Sequence, residues 1–259
     1  MFASTREAWA IWRPTLLQLT LLNWKVRYKK AHLGFLWAFA NPLIMAFVLA
    51  LVFSKFFKHP MPNFPAFLLV TLMPWWYFAL ATNQAVNCIW ENAQLVQRSA
   101  FPRYFLPLSV TLSNLVNFLL SLVFLFPFLI FFDVALTPYL LLLPLVIAMQ
   151  VLLVYGVALI VSVAYVFFHD IRYMVEAGVF ILFYLSPVFY PVTYVSEPLQ
   201  PIYALNPMAG ILTSYRHVLF FGAWPEPRVV AISFAVTLVI LFVGIVLHRR
   251  YGPTIADHL

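Results

Sequence analysis

Residues 105–168 read FLPLSVTLSNLVNFLLSLVFLFPFLIFFDVALTPYLLLLPLVIAMQVLLVYGVALIVSVAYVFF, and across that whole stretch Asp133 is the single charged residue. Two windows inside it, Phe105 to Phe132 and Tyr139 to Phe168, each exceed the ~20 mostly apolar residues that carry an α-helix through a hydrocarbon core about 30 Å thick. Both are long enough to tilt, or to extend as helix beyond the bilayer. Working outward, four more windows meet the same criterion loosely: Leu33 to Phe53, Phe64 to Val86, the short Met174 to Phe189, and Val229 to His248. The composition agrees, with 64% apolar and 9% charged residues against roughly 45–50% and about 25% in a globular domain. In water the surplus apolar surface would cost near ~25 cal/mol per Å². Lipid is therefore the solvent, and a soluble enzyme is excluded.

The expected fold is all-α and integral to the membrane, a single domain over residues 1–259. It comprises a cytoplasmic N-terminus with an interface helix (1–32), spans one to five (33–189), an extracytoplasmic re-entrant region (190–228), and a last span with a cytoplasmic tail (229–259). The net charge of +7 does not form a groove-binding stripe, so no nucleic-acid partner is expected. The basic residues sit at helix ends instead. Arg6, Arg13, Lys25, Arg27, Lys29, Lys30, Arg98, Arg103, Arg172, Arg249 and Arg250 fall on one side, and Lys55, Lys58, Arg216 and Arg228 on the other. That imbalance places both termini in the cytoplasm. Met1 to Thr15 lacks the compact apolar run of a cleavable signal, so the N-terminus is expected to be retained. Cys88, alone of its kind, rules out an intramolecular disulfide. No symmetric pair of broken helices marks an inverted repeat, and six helices make a small transporter, which a homodimer would enlarge.

Before the first span, Leu17, Leu21, Trp24 and Tyr28 recur at helical spacing through Leu17 to Lys30, with Lys25 and Lys29 beside them. Such a helix lies in the membrane surface, either as a plain topological anchor or as an interface helix that feels a cytosolic partner. Glu91 to Arg103 (ENAQLVQRSAFPR) is an ordinary loop or a short coupling helix, with Pro102 able to stop one helix or start the next. Ser186 to Trp224, punctuated by Pro187, Pro191, Pro198, Pro201 and Pro207, fits either an outer cap or two short helices that dip into the outer leaflet. Asn114, Asn117 and Ser121 share a face of the third span, and Gln150 and Ser162 lie in the fourth. Interhelical hydrogen bonding is the simplest reading of them, ahead of a hydrated pathway. No charge lies at the middle of a span, which counts against ion-coupled transport. Aromatic residues make up 19% of the chain. Trp37, Trp76, Tyr77, Phe183, Tyr184 and Tyr190 are candidates for flat platforms on which sugar rings slide.

The seven glycines never adopt the spacing G-x-x-x-x-G-K-[ST], so the chain is expected to hydrolyse no ATP. The histidines lie far apart, with no H-E-x-x-H and no expected metal. No two of the eight carboxylates sit as an acid and base pair. A membrane enzyme of lipid-linked sugar metabolism remains a rival without a visible site.

Arg27-Tyr28-Lys29, Leu33-Gly34-Phe35-Leu36-Trp37 and Asn41-Pro42 resemble the start of the first span in permease subunits of bacterial polysaccharide ABC exporters. Leu95 to Leu108 (LVQRSAFPRYFLPL) and Phe167 to Arg172 (FFHDIR) resemble that family's cytoplasmic loops. Ser186-Pro187-Val188-Phe189-Tyr190-Pro191, Asn206-Pro207-Met208 and Tyr215-Arg216 resemble its outer re-entrant region. The matches run in the family's order from Arg27 onward; His169 departs from it, standing where arginine is common. The resemblance implies an ABC-type-2 exporter fold, a homodimer, and two separate ATP-binding cassette subunits that hold the ATP and Mg. It also implies a lipid-linked glycan, usually on undecaprenyl diphosphate, in the bacterial inner membrane. Phe101-Pro102-Arg103 and its flanks are more similar to O-antigen exporters than to capsule exporters, and teichoic acid exporters are similar too. On this resemblance Glu91, Gln97, Arg98, Phe101, Pro102 and Arg103 are expected to meet the ATPase. Arg27, Lys29 and Lys30 are expected to meet the substrate's diphosphate.

Overall fold

The computed structural model describes residues 5–29, 34–56, 63–98, 101–196, 198, 200, 203 and 205–259. Lys30, Leu33 and residues 99–100 lie outside the described residues. All regular structure among the described residues is helical. Four helical stretches are long and apolar enough to cross a membrane: Phe64–Asn87, Phe105–Phe131, Pro138–Phe167 and Pro227–His258. Phe39–Val52 is a shorter apolar helix.

The first helix, α1 (Thr5–Tyr28), begins well before the expected Leu17 and carries Pro14 internally. It packs on α5 (Phe105–Phe131). The face it buries against protein lies beside the apolar stripe expected to meet the membrane. Leu16 and Thr20 are buried while Leu17 and Leu21 are about half exposed, at 50% and 51%. The reason is chemical: on the inward side Asn23 and Trp24 donate to Ser109 and Asn117 on α5, so that face docks. The purely apolar Leu17, Leu21 and Val26 are left outward, toward lipid.

After a 3₁₀ turn (Gly34–Leu36), α2 (Trp37–Phe56) leads to α3 (Phe64–Asn87). Pro65 in the first turn suits a helix start, where the missing N–H is unsatisfied in any case. Of the apolar window of α3, 78% is buried, against 17% for the last helix, so α3 is the central rod. Gly-free and bracketed by α2, α5 and α6 (Leu143–Phe167), it has almost no lipid face. A 3₁₀ turn (Trp90–Asn92) and the short α4 (Ala93–Arg98) follow it. The segment read as loop or coupling helix is thus helical from Trp90 to Arg98. α5 then ends at Phe131, and Asp133, two residues on, turns the chain with a φ of 54°.

α7 (Ile171–Tyr184) has 14 residues and rises about 21 Å, short of a full crossing. α8 (Pro207–Arg216) is capped by Asn206, whose side-chain oxygen accepts from the Met208 and Ala209 amides at 3.0 and 3.3 Å. A π-helical turn (His217–Phe221) follows, then α9 (Pro227–Tyr251) and a final 3₁₀ turn (Gly252–His258). α9 lies against α6 at a glycine crossing. A Cβ on Gly244 would stand 2.8 Å from the Gly156 carbonyl oxygen, and one on Gly156 would stand 2.9 Å from the Leu241 Cα. Close approach through small residues is how helices gain dispersion contact where lipid offers no hydrophobic drive.

Buried apolar residues form two cores. The larger surrounds α3 with α5, α6 and α8. The smaller lies at the other end, where Leu16, Ile89, Val96, Phe101, Phe105, Val166 and Ile255 join α1, α4, α6 and the C-terminal turn.

Candidate functional site

Where the C-terminal end of α1 meets α2, α3 and α5, the helices enclose a cavity of about 320 Å³. One wall is polar: Arg27, Gln84, Asn114, Asn117 and Ser121. The other is aromatic: Trp37, Trp76, Tyr77 and Phe118. Helical spacing puts Trp76, Tyr77, Leu80 and Gln84 on one side of α3, and Asn114, Asn117, Phe118 and Ser121 on one side of α5. The polar wall is a connected set. Arg27 donates to the Gln84 side-chain oxygen, which also accepts from Asn114 Nδ2 at 2.9 Å. Asn114 donates as well to the Val110 carbonyl at 2.9 Å. Trp24 Nε1 donates to Asn117 Oδ1 at 2.9 Å, and Asn23 Nδ2 to Ser109 Oγ at 3.1 Å. Tyr77 and Phe118, both buried, stack on each other with ring centroids 5.3 Å apart and an 8° interplanar angle, tying α3 to α5 at the cavity.

All three polar residues of the third span line the cavity; Asn114 and Asn117 also bond to neighbouring helices, while the Ser121 hydroxyl donates within α5 to the Asn117 carbonyl. Arg27, Trp37, Trp76 and Tyr77 are brought together there, with Lys29 exposed nearby in sequence. Among the described residues the one ion pair is Arg172–Glu176, so the guanidinium of Arg27 faces amides and aromatic rings, with no carboxylate to neutralise it. Gln84 is the member that sequence reasoning missed. Its signal was available, since it lies seven and eight residues beyond Tyr77 and Trp76 and so on their face.

Phe183, Tyr184 and Tyr190 lie elsewhere. Phe183 packs edge-on against Trp75 at 5.5 Å. The Tyr190 hydroxyl donates to the Tyr184 carbonyl at 3.0 Å and lies 2.6 Å from the Tyr203 hydroxyl. Beside them is Arg216, 2% exposed. It donates to the carbonyls of Pro187, Val188 and Tyr190 at 2.8, 3.2 and 3.2 Å, and its guanidinium carbon sits 3.7 Å from the centroid of the Phe67 ring. A buried cation bonded through both terminal nitrogens to carbonyls, and set over a ring, ties residues 187–190 to α8.

In the segment after α3, Trp90, Glu91 and Gln97 are exposed, and Pro102 and Arg103 are half-buried. Arg98 ends α4. Phe101, expected at the surface, is 4% exposed and packs edge-on to Trp12 at 5.5 Å and against Phe105 at 6.1 Å. It anchors the segment to α1 and α5. Trp90 meets His169 at 4.8 Å, so the turn after α3 and the turn between α6 and α7 touch.

Residues 15–220 match the ABC-2 type transporter family. The chain is 31% identical over 248 residues to the O-antigen export system permease protein RfbA of Klebsiella pneumoniae, covering 94% of each protein. To the protein of that name in Myxococcus xanthus it is 30% identical over 237 residues, 89% of this chain and 90% of that one. It is 24% identical over 250 residues, 94% and 96% of the two, to the polysialic acid transport protein KpsM of Escherichia coli. With apolar helices of spanning length and a match over most of its residues, the chain is a multi-pass membrane protein that belongs to the ABC-2 type transporter family.

Proposed function

We propose that this chain is the permease subunit of an ATP-driven exporter that moves a lipid-linked polysaccharide of the O-antigen type across the bacterial inner membrane. It works as a homodimer with two copies of a separate ATP-binding subunit, which holds the ATP and Mg. The observation that carries the cargo class is the cavity whose lining combines Arg27 with Trp37, Trp76 and Tyr77. A guanidinium suits the diphosphate of an undecaprenyl carrier, and flat rings suit the C–H faces of sugars. Similarity to O-antigen permeases over 94% of the chain points the same way.

In this reading α2, α3, α5, α6, α7 and α9 are six spans, with both termini cytoplasmic. The span of α7 is completed by irregular backbone at residues 185–190. Such backbone is tolerated at membrane depth only when protein satisfies it, and Arg216 does so. α8 and the π-helical turn form the outer re-entrant region. ATP-driven closure pushes on the exposed face of residues 90–98 and on α1, and the spans of two protomers tilt apart to admit the glycan. Lys29 extends the positive rim at the inner headgroup plane, and Lys30 adds a charge next to it in sequence.

The test is charge reversal. Arg27→Glu, Lys29→Glu and Lys30→Glu together should abolish surface glycan in cells that carry the partner ATPase, while membrane insertion stays intact. Unchanged export removes the cargo assignment. A capsule or teichoic acid cargo is the second reading, favoured by the similarity to the polysialic acid transport protein. Glycan analysis of a complemented deletion strain separates the two.

A further inference from the structure

A second cavity, of about 470 Å³, opens between the start of α5, the middle of α6 and the last turns of α9. It is lined by Tyr104, Tyr155, Leu159, Ile245, His248 and Arg249. It is separate from the aromatic cavity, since the two share no lining residue. Its chemistry is that of a headgroup pocket. Arg249 is exposed at the rim, and the His248 imidazole is buried behind it, 3.4 Å from Ser162 Oγ. Arg103 is close enough to act electrostatically on that imidazole. The Tyr155 hydroxyl has one long contact, 3.4 Å to the Tyr104 carbonyl, so its donor is available at little cost. Among the described residues no carboxylate lines the cavity. Beside the polar groups, Leu159 and the exposed Ile245 continue onto the outer face of α9, where Phe242 and Val246 are also exposed. A polar, cationic pocket that runs out onto a greasy helix face matches a molecule with a phosphate head and an acyl tail. Basic pockets between spans at the cytoplasmic side are suited to anionic lipid heads.

We infer that this cavity seats the phosphodiester of an anionic phospholipid of the inner leaflet, with Arg249 and the Tyr155 hydroxyl on the phosphate and an acyl chain along Ile245. The bound lipid would bridge α5, α6 and α9 directly behind the Phe101 to Arg103 segment, tying the motor-facing end of the molecule to the membrane. The inference rests on the proposed orientation of the helices but not on the cargo.

The test is lipid retention by the full chain, purified in mild detergent with phosphatidylglycerol and read by native mass spectrometry. Arg249→Gln should lower retention about tenfold or more, as for loss of a hydrogen bond to a charged group. Arg250→Gln removes the same charge from the same surface without lining the cavity, and should lower it by no more than about fivefold, the general surface contribution. Tyr155→Phe, which keeps the packing, should lower retention without altering the thermal melt of the lipid-free protein. Equal effects of the two arginine variants, or equal retention of phosphatidylcholine, would overturn the inference. Displacement of phosphatidylglycerol by farnesyl diphosphate at equal concentration would also overturn it, by giving the cavity to the cargo's diphosphate. Retention in detergent does not depend on which way the helices face, so its failure is distinct from a failure of the orientation.

Discussion

Gln150 is fully buried in α6, donating to the Pro74 carbonyl at 2.6 Å and accepting from the Tyr215 hydroxyl at 2.8 Å. One side chain thereby joins α3, α6 and α8 inside the helical bundle. Gln150→Leu should destabilise the detergent-solubilised protein by about 1 kcal/mol, within the measured range for intramembrane hydrogen bonds; a melting temperature equal to that of the native protein would show that the bond contributes nothing. Cys88 is 2% exposed, and burial pushes its thiol above the ordinary value, with Glu91 adding to the effect. Thiolate is the reactive form, so maleimide should leave intact membranes unlabelled at neutral pH and label the chain fully after denaturation in detergent. Gln150 and the Asn114, Asn117 and Ser121 face were legible in the sequence, because a polar residue among apolar neighbours in a span has few reasons to be there. Which of them would meet was not, since the pairing of Asn117 with Trp24 crosses 93 residues of chain.

At the scale of the element, the four long spans were readable because length and hydropathy alone decide them. α1 was readable as an amphipathic helix with an apolar stripe toward the membrane, but the docking of its neighbouring face on α5 was not. A one-residue step turns a helix by about 100°, and the polar partners on α5 that chose the Leu16 face are invisible to a stripe of apolar residues. Leu16→Ala should therefore destabilise the protein by about 2 kcal/mol or more, as in other buried cores. Leu17→Ala should shift the melt far less, and the reverse order would place the docking face on the outer stripe. The crossing of α6 on α9 gives a further case. Gly244→Leu would drive side-chain atoms into the Gly156 carbonyl, and overpacking of this kind costs about 1–3 kcal/mol. Loss of folded protein on size-exclusion chromatography, with Gly178→Leu as a control where a Cβ meets nothing, tests the crossing. Residues 186–206 were the least legible element, since a single buried arginine beyond them, and not their own pattern, organises the carbonyls at 187, 188 and 190.

For the whole molecule, the division into two cores matters more than the count of spans. The larger core is a membrane bundle around α3, while the smaller joins the first helix, the segment after α3 and the last turn of the chain into one unit. On the proposed mechanism, a push on this end of the molecule would pass to α1 through the contact of Trp12 with Phe101, and α1 carries Arg27 to the aromatic cavity. The exposed and buried residues of one short segment should then fail in different ways. Glu91→Arg with Gln97→Glu alters the outward face alone, and should lower export several-fold and reduce co-purification of the ATP-binding subunit at an unchanged melting temperature. Phe101→Ala leaves that face intact and removes the contact with Trp12, so it should lower the melting temperature, with a cost of about 3 kcal/mol for a buried phenylalanine, while the ATPase still binds. Export should fall here as well, because the push no longer reaches α1. If Phe101→Ala instead releases the ATPase at an unaltered melting temperature, the ring meets the partner directly, and the transmission through Trp12 is wrong.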